Sequence, residues 1–355
     1  MTSQELATAR VVGARTTPGP RIRVIQFGLG PIGRATLQRA LTRRGIEVVG
    51  CVERDPAAVE ETATTVLADS GLPPVPIRSD VTRLLAEVGA ADVVLHTAVS
   101  TVTQALPQLL ELVDAGLNVV TTTEELICPR PVTAPIVRRL GDLARRRGVT
   151  IFPTGVNPGF ILDRLVLNLT SICDRVDEVE GRRMVDATLR RRRLQEKLGV
   201  GGDPDAVREG IAAHRFGHVG LLESLQLVGL GLGWTLDDVR VVIEPVVATK
   251  RIERNGVTVE AGRVAGIHHE AWGAIGGEDV IHLVLRMSAD VDEPVDEIRV
   301  TGDPDLAVRI VGGAAGDVAT VGSLLNAVPY VVAAPPGFHM LSPAPAYWAG
   351  RRSSC

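Results

Sequence analysis

Short, nearly unbroken apolar runs alternate with amphipathic stretches between about residue 21 and residue 155. This is the pattern of a parallel sheet whose strands are covered on both faces. Strands are predicted at 22–27, in the apolar run that closes before Glu53, and at 92–98, 117–122 and 149–153; helices are predicted over 103–115 and 133–147. Beyond about residue 175 the texture changes. Residues 176–185, 239–247, 257–267, 281–287 and 297–301 read as strands. Turn signals such as Asn255-Gly256 and helical stretches near 204–213 and 219–230 separate them. Such a succession suits a mostly antiparallel sheet with helices on one face. A last helix is predicted over 317–326, with Asp317 as its N-cap.

The first strand ends in Gly28-Leu29-Gly30-Pro31-Ile32-Gly33, a helix follows, and the second strand closes on Glu53, 20 residues after Gly33. A dinucleotide needs this arrangement. Gly28 permits the tight turn, Gly30 lets the backbone approach a pyrophosphate, and Gly33 allows the helix to pack closely on the sheet. Pro31 and Ile32 sit at the helix start, where free N–H groups meet phosphates. Glu53 is placed for the adenosine ribose hydroxyls and favours NAD, while Arg54 could embrace a 2′-phosphate, so use of both NAD and NADP is expected. The expected fold is therefore α/β: an N-terminal Rossmann doubly wound parallel sheet, with a second α+β domain built on a mostly antiparallel sheet. The expected division is a disordered leader at 1–20 and a dinucleotide-binding domain at 21–155. A substrate and dimerisation domain at 156–305 follows, and then a C-terminal segment, 306–355, that returns to the first domain. Its prolines (Pro335, Pro336, Pro343, Pro345) suggest an extended strap.

Composition narrows the function. A net charge of −4 gives no reason to expect nucleic acid or an anionic membrane. No apolar run of membrane-spanning length and no signal-peptide core is seen, so a cytoplasmic protein is expected. The four cysteines, Cys51, Cys128, Cys173 and Cys355, are scattered without metal spacing. Arginine outnumbers lysine 36 to 2, so lysine chemistry has two candidates, Lys197 and Lys250.

Open α/β sheets bind ligands outside the carboxyl ends of their strands. His96-Thr97-Ala98 at one such end should pass near the nicotinamide ribose, with an ordinary polar strand end as the competing reading for His96. Thr121-Thr122-Thr123-Glu124-Glu125 at the next offers two acids, and a carboxylate in a partly dry pocket has the raised pKa that general acid/base work requires. Spacing does not choose between Glu124 and Glu125, and either could instead cap a helix. At the third end, Gly155-Val156-Asn157-Pro158-Gly159 could hold the nicotinamide amide or a polar substrate group through Asn157 and Gly159. His218, near Glu223, is a candidate for the substrate wall. The run Arg190–Arg193 reads as a solvated or subunit-facing helix side, with an anion site as the alternative. His268-His269 lacks further ligands, so no metal site is expected. With aromatics at 3% of residues, an aliphatic pocket wall is suggested.

The segments VIQFGLGPIGR, VVTTTEEL, TGVNPGF, VDATLRRRRLQEKLGVG, GHVGLLES and GDPDLAVRIVGGAAGDVAT occur in this order. In that combination, over about residues 21 to 340, the chain resembles the 2,4-diaminopentanoate dehydrogenase-like proteins, a group that includes native amine dehydrogenases. The resemblance implies homodimers and NAD(P)-dependent interconversion of an amine with a ketone and ammonia, and the aliphatic pocket wall then suggests a small amine, amino-acid-like or aliphatic. It also implies a glutamate of the TTEEL segment at the reacting nitrogen. Two relatives of the fold fit less well. The paired-histidine and Lys-x-Asp-x-Pro-Ser-Gly-Thr signature of dihydrodipicolinate reductases is missing, as is the strand-end lysine of homoserine dehydrogenases. Reduction of a cyclic imine or simple carbonyl is the alternative chemistry, and a non-catalytic NAD(P) sensor the alternative class.

Overall fold

The structure is a computed structural model that describes residues 21–67 and 75–340. The leader 1–20, Pro343, Pro345 and Cys355 lie outside the described residues.

The first half alternates strand and helix. Its elements are β1 (Ile22–Phe27), α1 (Pro31–Leu41), β2 (Ile46–Val52), α2 (Pro56–Thr62), β3 (Ile77–Arg78) and α3 (Val81–Val88). They continue with β4 (Val93–His96), α4 (Val102–Asp114), β5 (Asn118–Thr121), α5 (Ala134–Arg147) and β6 (Thr150–Pro153). The second half carries α6 (Arg164–Thr170), β7 (Arg175–Asp186), α7 (Arg192–Lys197), α8 (Pro204–Ala212), α9 (Leu221–Gly231) and β8 (Asp238–Val247). There follow β9 (Ile252–Arg254), β10 (Val257–Val259), β11 (Val264–Ile275), β12 (Glu278–Ser288), β13 (Val295–Asp303), β14 (Leu306–Val311), α10 (Gly316–Ala333) and β15 (Gly337–Phe338).

The first sheet has the order β15-β6-β5-β4-β1-β2-β3, and all its pairs are parallel. Alternation explains how it is covered twice. Ile25, Val94, Val119 and Ile151 face α3, α4 and α5, while their neighbours Val24, Val93, Val120 and Phe152 face α1 and α10. The final helix thus crosses back over the first sheet, and Gly337-Phe338 extends that sheet beside Thr150-Ile151. By length and composition α10 is the one helix among the described residues apolar enough to cross a membrane, which the expectation of no such run overlooked. Its buried residues, Val321, Leu324, Leu325, Val328 and Val331, are spent on the sheet.

The second sheet runs β14-β13-β7-β12-β11-β8 and is antiparallel except for β7 against β12. Its core face packs on α9 through Leu225, Val228, Ile267, Ala271 and Leu283. The strand expected at 257–267 is in fact two. Gly262 at φ +81 and the Arg263 N–H donating to the Glu260 carbonyl make a turn, so Val257–Val259 pairs with β9 as a separate hairpin. Asp317 is not the N-cap of α10: Ala315 holds that place, and Asp317 lies in the first turn.

Arg183 on β7 donates to both oxygens of Asp296 on β13 at 2.7 and 2.6 Å, with both residues buried. Burial pulls the Arg183 pKa down, and the carboxylate pulls it back up. Removing one partner strands a buried charge. Arg183→Met is therefore expected to cost about 3–5 kcal/mol, read as a lowered urea midpoint with an unchanged slope.

Candidate active site

Four loops leave the first sheet at one edge, and the parallel register continues a step beyond the strands. The Gly28 N–H donates to Val52 O at 2.9 Å, Thr97 to Phe27 at 2.9 Å, Thr122 to His96 at 3.0 Å and Thr154 to Thr121 at 2.8 Å. This staircase sets the strand-end loops side by side, at the carboxyl edge where such sheets bind ligands. Residues of these loops open on a cavity of about 440 Å³. Its opposite wall comes from β7, the segment 190–197, His218 and the start of α10.

At the nucleotide end, Gly30, Pro31 and Ile32 line the cavity, as do Thr97 and Ala98. A Cβ on Gly30 would meet nothing within 4 Å, so the backbone there faces open space, and the start of α1 has no side-chain cap on its N–H groups. Gly28 and Gly33 lie behind the rim. A Cβ on Gly33 would fall 1.9 Å from the Gly28 carbonyl oxygen, and Gly28 has φ +87 against Ala98. Glu53 accepts from Leu29 N at 2.6 Å, Arg54 N at 2.7 Å and Asp55 N at 3.0 Å. The acid thus fastens the glycine loop to the end of β2. Arg54 is drawn elsewhere, its guanidinium donating to Ser79 O and facing Glu111. An open N-terminus, a side-chain-free approach and an acid beyond β2 fit a dinucleotide.

The two candidate acids part company. Glu124 opens a short 3₁₀ turn and lines the cavity. Burial raises its pKa; its own backbone N–H, the Lys197 ammonium, the Ser100 hydroxyl and Arg191 offset part of that rise. Glu125 does not line the cavity. One of its oxygens accepts from Val102 N at 2.8 Å at the start of α4, and the other pairs with Arg130. It is a structural acid, and its candidacy is corrected. Arg130 also meets Glu223, which is buried and pushed up in pKa by that burial.

His96 takes the competing reading, an ordinary polar strand end. It is fully buried beneath the rim, with Nδ1 against Thr121 Oγ1 at 2.8 Å and Nε2 against Gln108 Oε1 at 2.7 Å, and burial lowers its pKa to about 4. Asn157 lines the cavity with a buried Oδ1 that has no partner. Gly159 does not line it. With φ +121, it packs so closely on Gly155 that a Cβ would fall 2.5 Å from the Gly155 nitrogen. Two residues that sequence reasoning passed over hold this turn. Asp163 accepts from Gly159 N at 2.7 Å and from Ser224 Oγ at 2.8 Å. Arg164 donates to Gly159 O, Thr154 Oγ1, Pro153 O and Met340 O. As a short Asp-Arg pair at a helix start they carry no sequence signal of burial.

His218 lines the cavity, its Nδ1 without a partner, and burial followed by the Lys197 charge lowers its pKa to about 3. His268 and His269 point to opposite faces of β11. His268 meets Glu270, which also takes His282 Nε2 at 2.9 Å. Among the described residues no cluster of three or more acids, cysteines and histidines is arranged to hold a metal. The arginine run is the larger surprise. Arg190, Arg191 and Arg193 line the cavity together with Arg183 and Lys197, and Arg192 alone of the run turns outward to Glu196. Aliphatic groups such as Val99, Val156, Val185 and Met287 share the wall, which is far more cationic than composition suggested.

A parallel sheet with an open glycine-loop helix start, an acid closing β2 and a half-buried carboxyl at the neighbouring strand end define an NAD(P)-dependent oxidoreductase. The chain belongs to the 2,4-diaminopentanoate dehydrogenase family: the profile of the 2,4-diaminopentanoate dehydrogenase C-terminal domain matches residues 160–352. It is 27% identical over 335 residues to a 2,4-diaminopentanoate dehydrogenase from Acetoanaerobium sticklandii, covering 92% of this chain and 94% of that one. In fold it is similar to an amine dehydrogenase from Mycobacterium smegmatis, with a TM-score of 0.77, 22% identity, and coverage of 91% and 96%. More distantly it is similar to GenD2 from gentamicin A biosynthesis, solved with NAD, at a TM-score of 0.50 and 14% identity over 85% and 75% of the chains.

Three histidines are held neutral: His96 near 4, His218 near 3 and His269, buried without a partner on either nitrogen, near 4. Each folded value lies below the unfolded one of about 6.5, so the unfolded chain takes up protons first as pH falls. The stability these groups contribute is complete above about pH 6.5 and drains as pH falls toward 4. Between pH 7 and pH 5 the loss is expected to be roughly 1–2 kcal/mol for each histidine. Urea midpoints across that range, with a shallower decline in His96→Gln, are the check; a flat profile would refute neutral burial.

Proposed function

We propose that the protein interconverts a small amine with the corresponding ketone and ammonia by hydride transfer to and from NAD(P), with Glu124 as the proton-handling group. The observation that carries this reading is that Glu124 shares one cavity wall with the glycine-loop rim and Asn157, while burial keeps its carboxyl easy to protonate. The dehydrogenase named above as a relative acts, by its name, on an amine, which supports the same reading.

Gly30, Pro31 and Ile32 would hold the pyrophosphate, Glu53 the ribose hydroxyls, Thr97 and Ala98 the nicotinamide ribose, and the orphaned Asn157 Oδ1 the carboxamide. When bound, the nicotinamide supplies the hydride acceptor or donor. In the oxidative direction Glu124 takes a proton from the substrate ammonium, which frees a nitrogen lone pair to drive hydride departure from carbon. Glu124 then releases that proton to solvent; the iminium accepts water, and the ionised carboxylate moves the water proton to the departing nitrogen. Reductive amination reverses these steps. Ammonia as co-substrate, a homodimer and a cytoplasmic location belong to the same reading. So does a division of labour in which residues 21–155 bind the dinucleotide, 156–305 hold substrate and the dimer contact, and 306–355 return to the first unit.

Glu124→Gln is expected to retain NADH binding, followed by fluorescence, and to lower turnover by roughly 10²-fold or more. Glu125→Gln should instead keep turnover and lose about 0.5–2 kcal/mol of stability through the α4 cap. The oxidative rate of the native protein should fall on the acid side through the raised pKa of Glu124, and loss of that limb in Glu124→Gln is the check. Full activity in Glu124→Gln would overturn the assignment, and a reductive assay indifferent to ammonia would point to simple carbonyl reduction. With the Glu53 carboxylate closing β2 and Arg54 donating to Ser79 O and facing Glu111, NAD is expected to outperform NADP in kcat/KM.

A further inference from the structure

We infer that Asp163 is a positioning residue for the cofactor. With Ser224 it ties the turn that carries Asn157 to the start of α9, and so sets where Asn157 Oδ1 meets the nicotinamide carboxamide. This rests on the reading above, which puts the carboxamide at Asn157, and names what holds that contact in place.

Both polar main-chain groups of Gly159 are held from beyond the turn. Its N–H donates to Asp163 Oδ2 at 2.7 Å, and its carbonyl accepts from Arg164 at 2.8 Å. Asp163 is fully buried. Its Oδ2 also accepts from Ser224 Oγ at 2.8 Å, and its Oδ1 accepts from Arg164 N at 2.6 Å. Three donors converge on it, which suits an ionised carboxylate, and the adjacent Arg164 guanidinium supplies the facing charge. Asn157 lies two residues before Gly159, lines the cavity and has a buried Oδ1 without a protein partner. A hydrogen bond to that oxygen has a narrow range of useful distance and angle, so a small drift of Gly159 is enough to lose it.

The flanking residues fix Asp163 to both halves of the molecule. Ile161 and Leu162 are buried in the core of the second half with Leu221 and Leu225 of α9. Gly220, the N-cap of α9 at φ +117, packs so closely on the turn that a Cβ there would fall 2.3 Å from Pro158 Cδ. The start of α9 thus meets the turn twice, through Gly220 on Pro158 and through Ser224 and Asp163 on Gly159. Arg164 reaches the other way. It donates to Pro153 O, Thr154 Oγ1 and Met340 O and lies over the Phe152 ring at 4.6 Å. Thr154 in turn bonds Ser323 of α10 at 2.5 Å. A helix of the second half therefore sets the nicotinamide end of a site whose phosphate end belongs to the first.

The test reads cofactor affinity alone, as the ratio of the calorimetric dissociation constants of reduced 3-acetylpyridine adenine dinucleotide and NADH. The analogue keeps the carbonyl on the ring and lacks the amide NH2 from which Asn157 Oδ1 would accept. The native protein is expected to favour NADH by roughly tenfold, and Asn157→Ala should abolish that preference. Asp163→Ala should reduce it several-fold. Ser224→Ala deletes a single hydroxyl and should move it the same way; it decides the matter where Asp163→Ala does not fold. A merely structural loss weakens both ligands alike and cancels in the ratio. A native ratio in either variant overturns the inference, as does one in Asn157→Ala or an equal affinity of the native protein for both ligands. The two readings fail separately, since these affinities need no amine: a silent Glu124→Gln sinks the amine-dehydrogenase reading and leaves this ratio untouched.

Discussion

The parallel register of the first sheet, prolonged by four backbone hydrogen bonds beyond the strands, is the constraint on which the site depends. Each strand-end peptide donates to the last carbonyl of its neighbour, so the loops after β1, β4, β5 and β6 cannot drift apart without breaking main-chain bonds. Side chains then fix the middle loop. Thr123 Oγ1 donates to Val99 O at 3.0 Å, Glu125 N donates to Ser100 O at 3.2 Å, and the Glu125 carboxylate takes Val102 N. These groups hold the loop, and Glu124 is left facing the cavity. Orientation obtained in this way is fixed before any ligand arrives.

Much of the fold was legible because both faces of the first sheet are buried, which writes dense apolar runs into the chain, and because the glycine loop has a specific backbone requirement. The second half was less so. The strands β9 and β14 are short or alternate polar and apolar at an edge, and α6 begins on a buried Asp-Arg pair that resembles any exposed cap. At the site, the strand-end rule located the right loops but could not separate adjacent residues. In a 3₁₀ turn, successive side chains point about 120° apart, so Glu124 and Glu125 must diverge, and which one faces inward depends on the loop after β4. Gly159 was misplaced for a related reason: a glycine that permits a close backbone approach and one that admits a ligand look alike in sequence. The arginine run was misjudged because a string of cations reads as solvent-facing until the position of a cavity is known, and that position is set by where β7 ends.

Burial shifts the titratable groups in and around the cavity in opposite directions. His96, His218 and His269 are all depressed to about 4 or below, so near neutral pH they give hydrogen bonds and no charge change. The buried thiols of Cys51 and Cys128 are pushed up to about 12 and stay protonated. Glu124 moves the other way, its carboxyl raised by burial from the acid range toward neutrality while Lys197 and Arg191 restrain the rise. A group poised between desolvation and nearby cations responds to whatever else enters the cavity, because an anion that engages those cations weakens their hold on the ionised carboxylate. The cations of the cavity wall therefore help to set the proton affinity of the acid beside them.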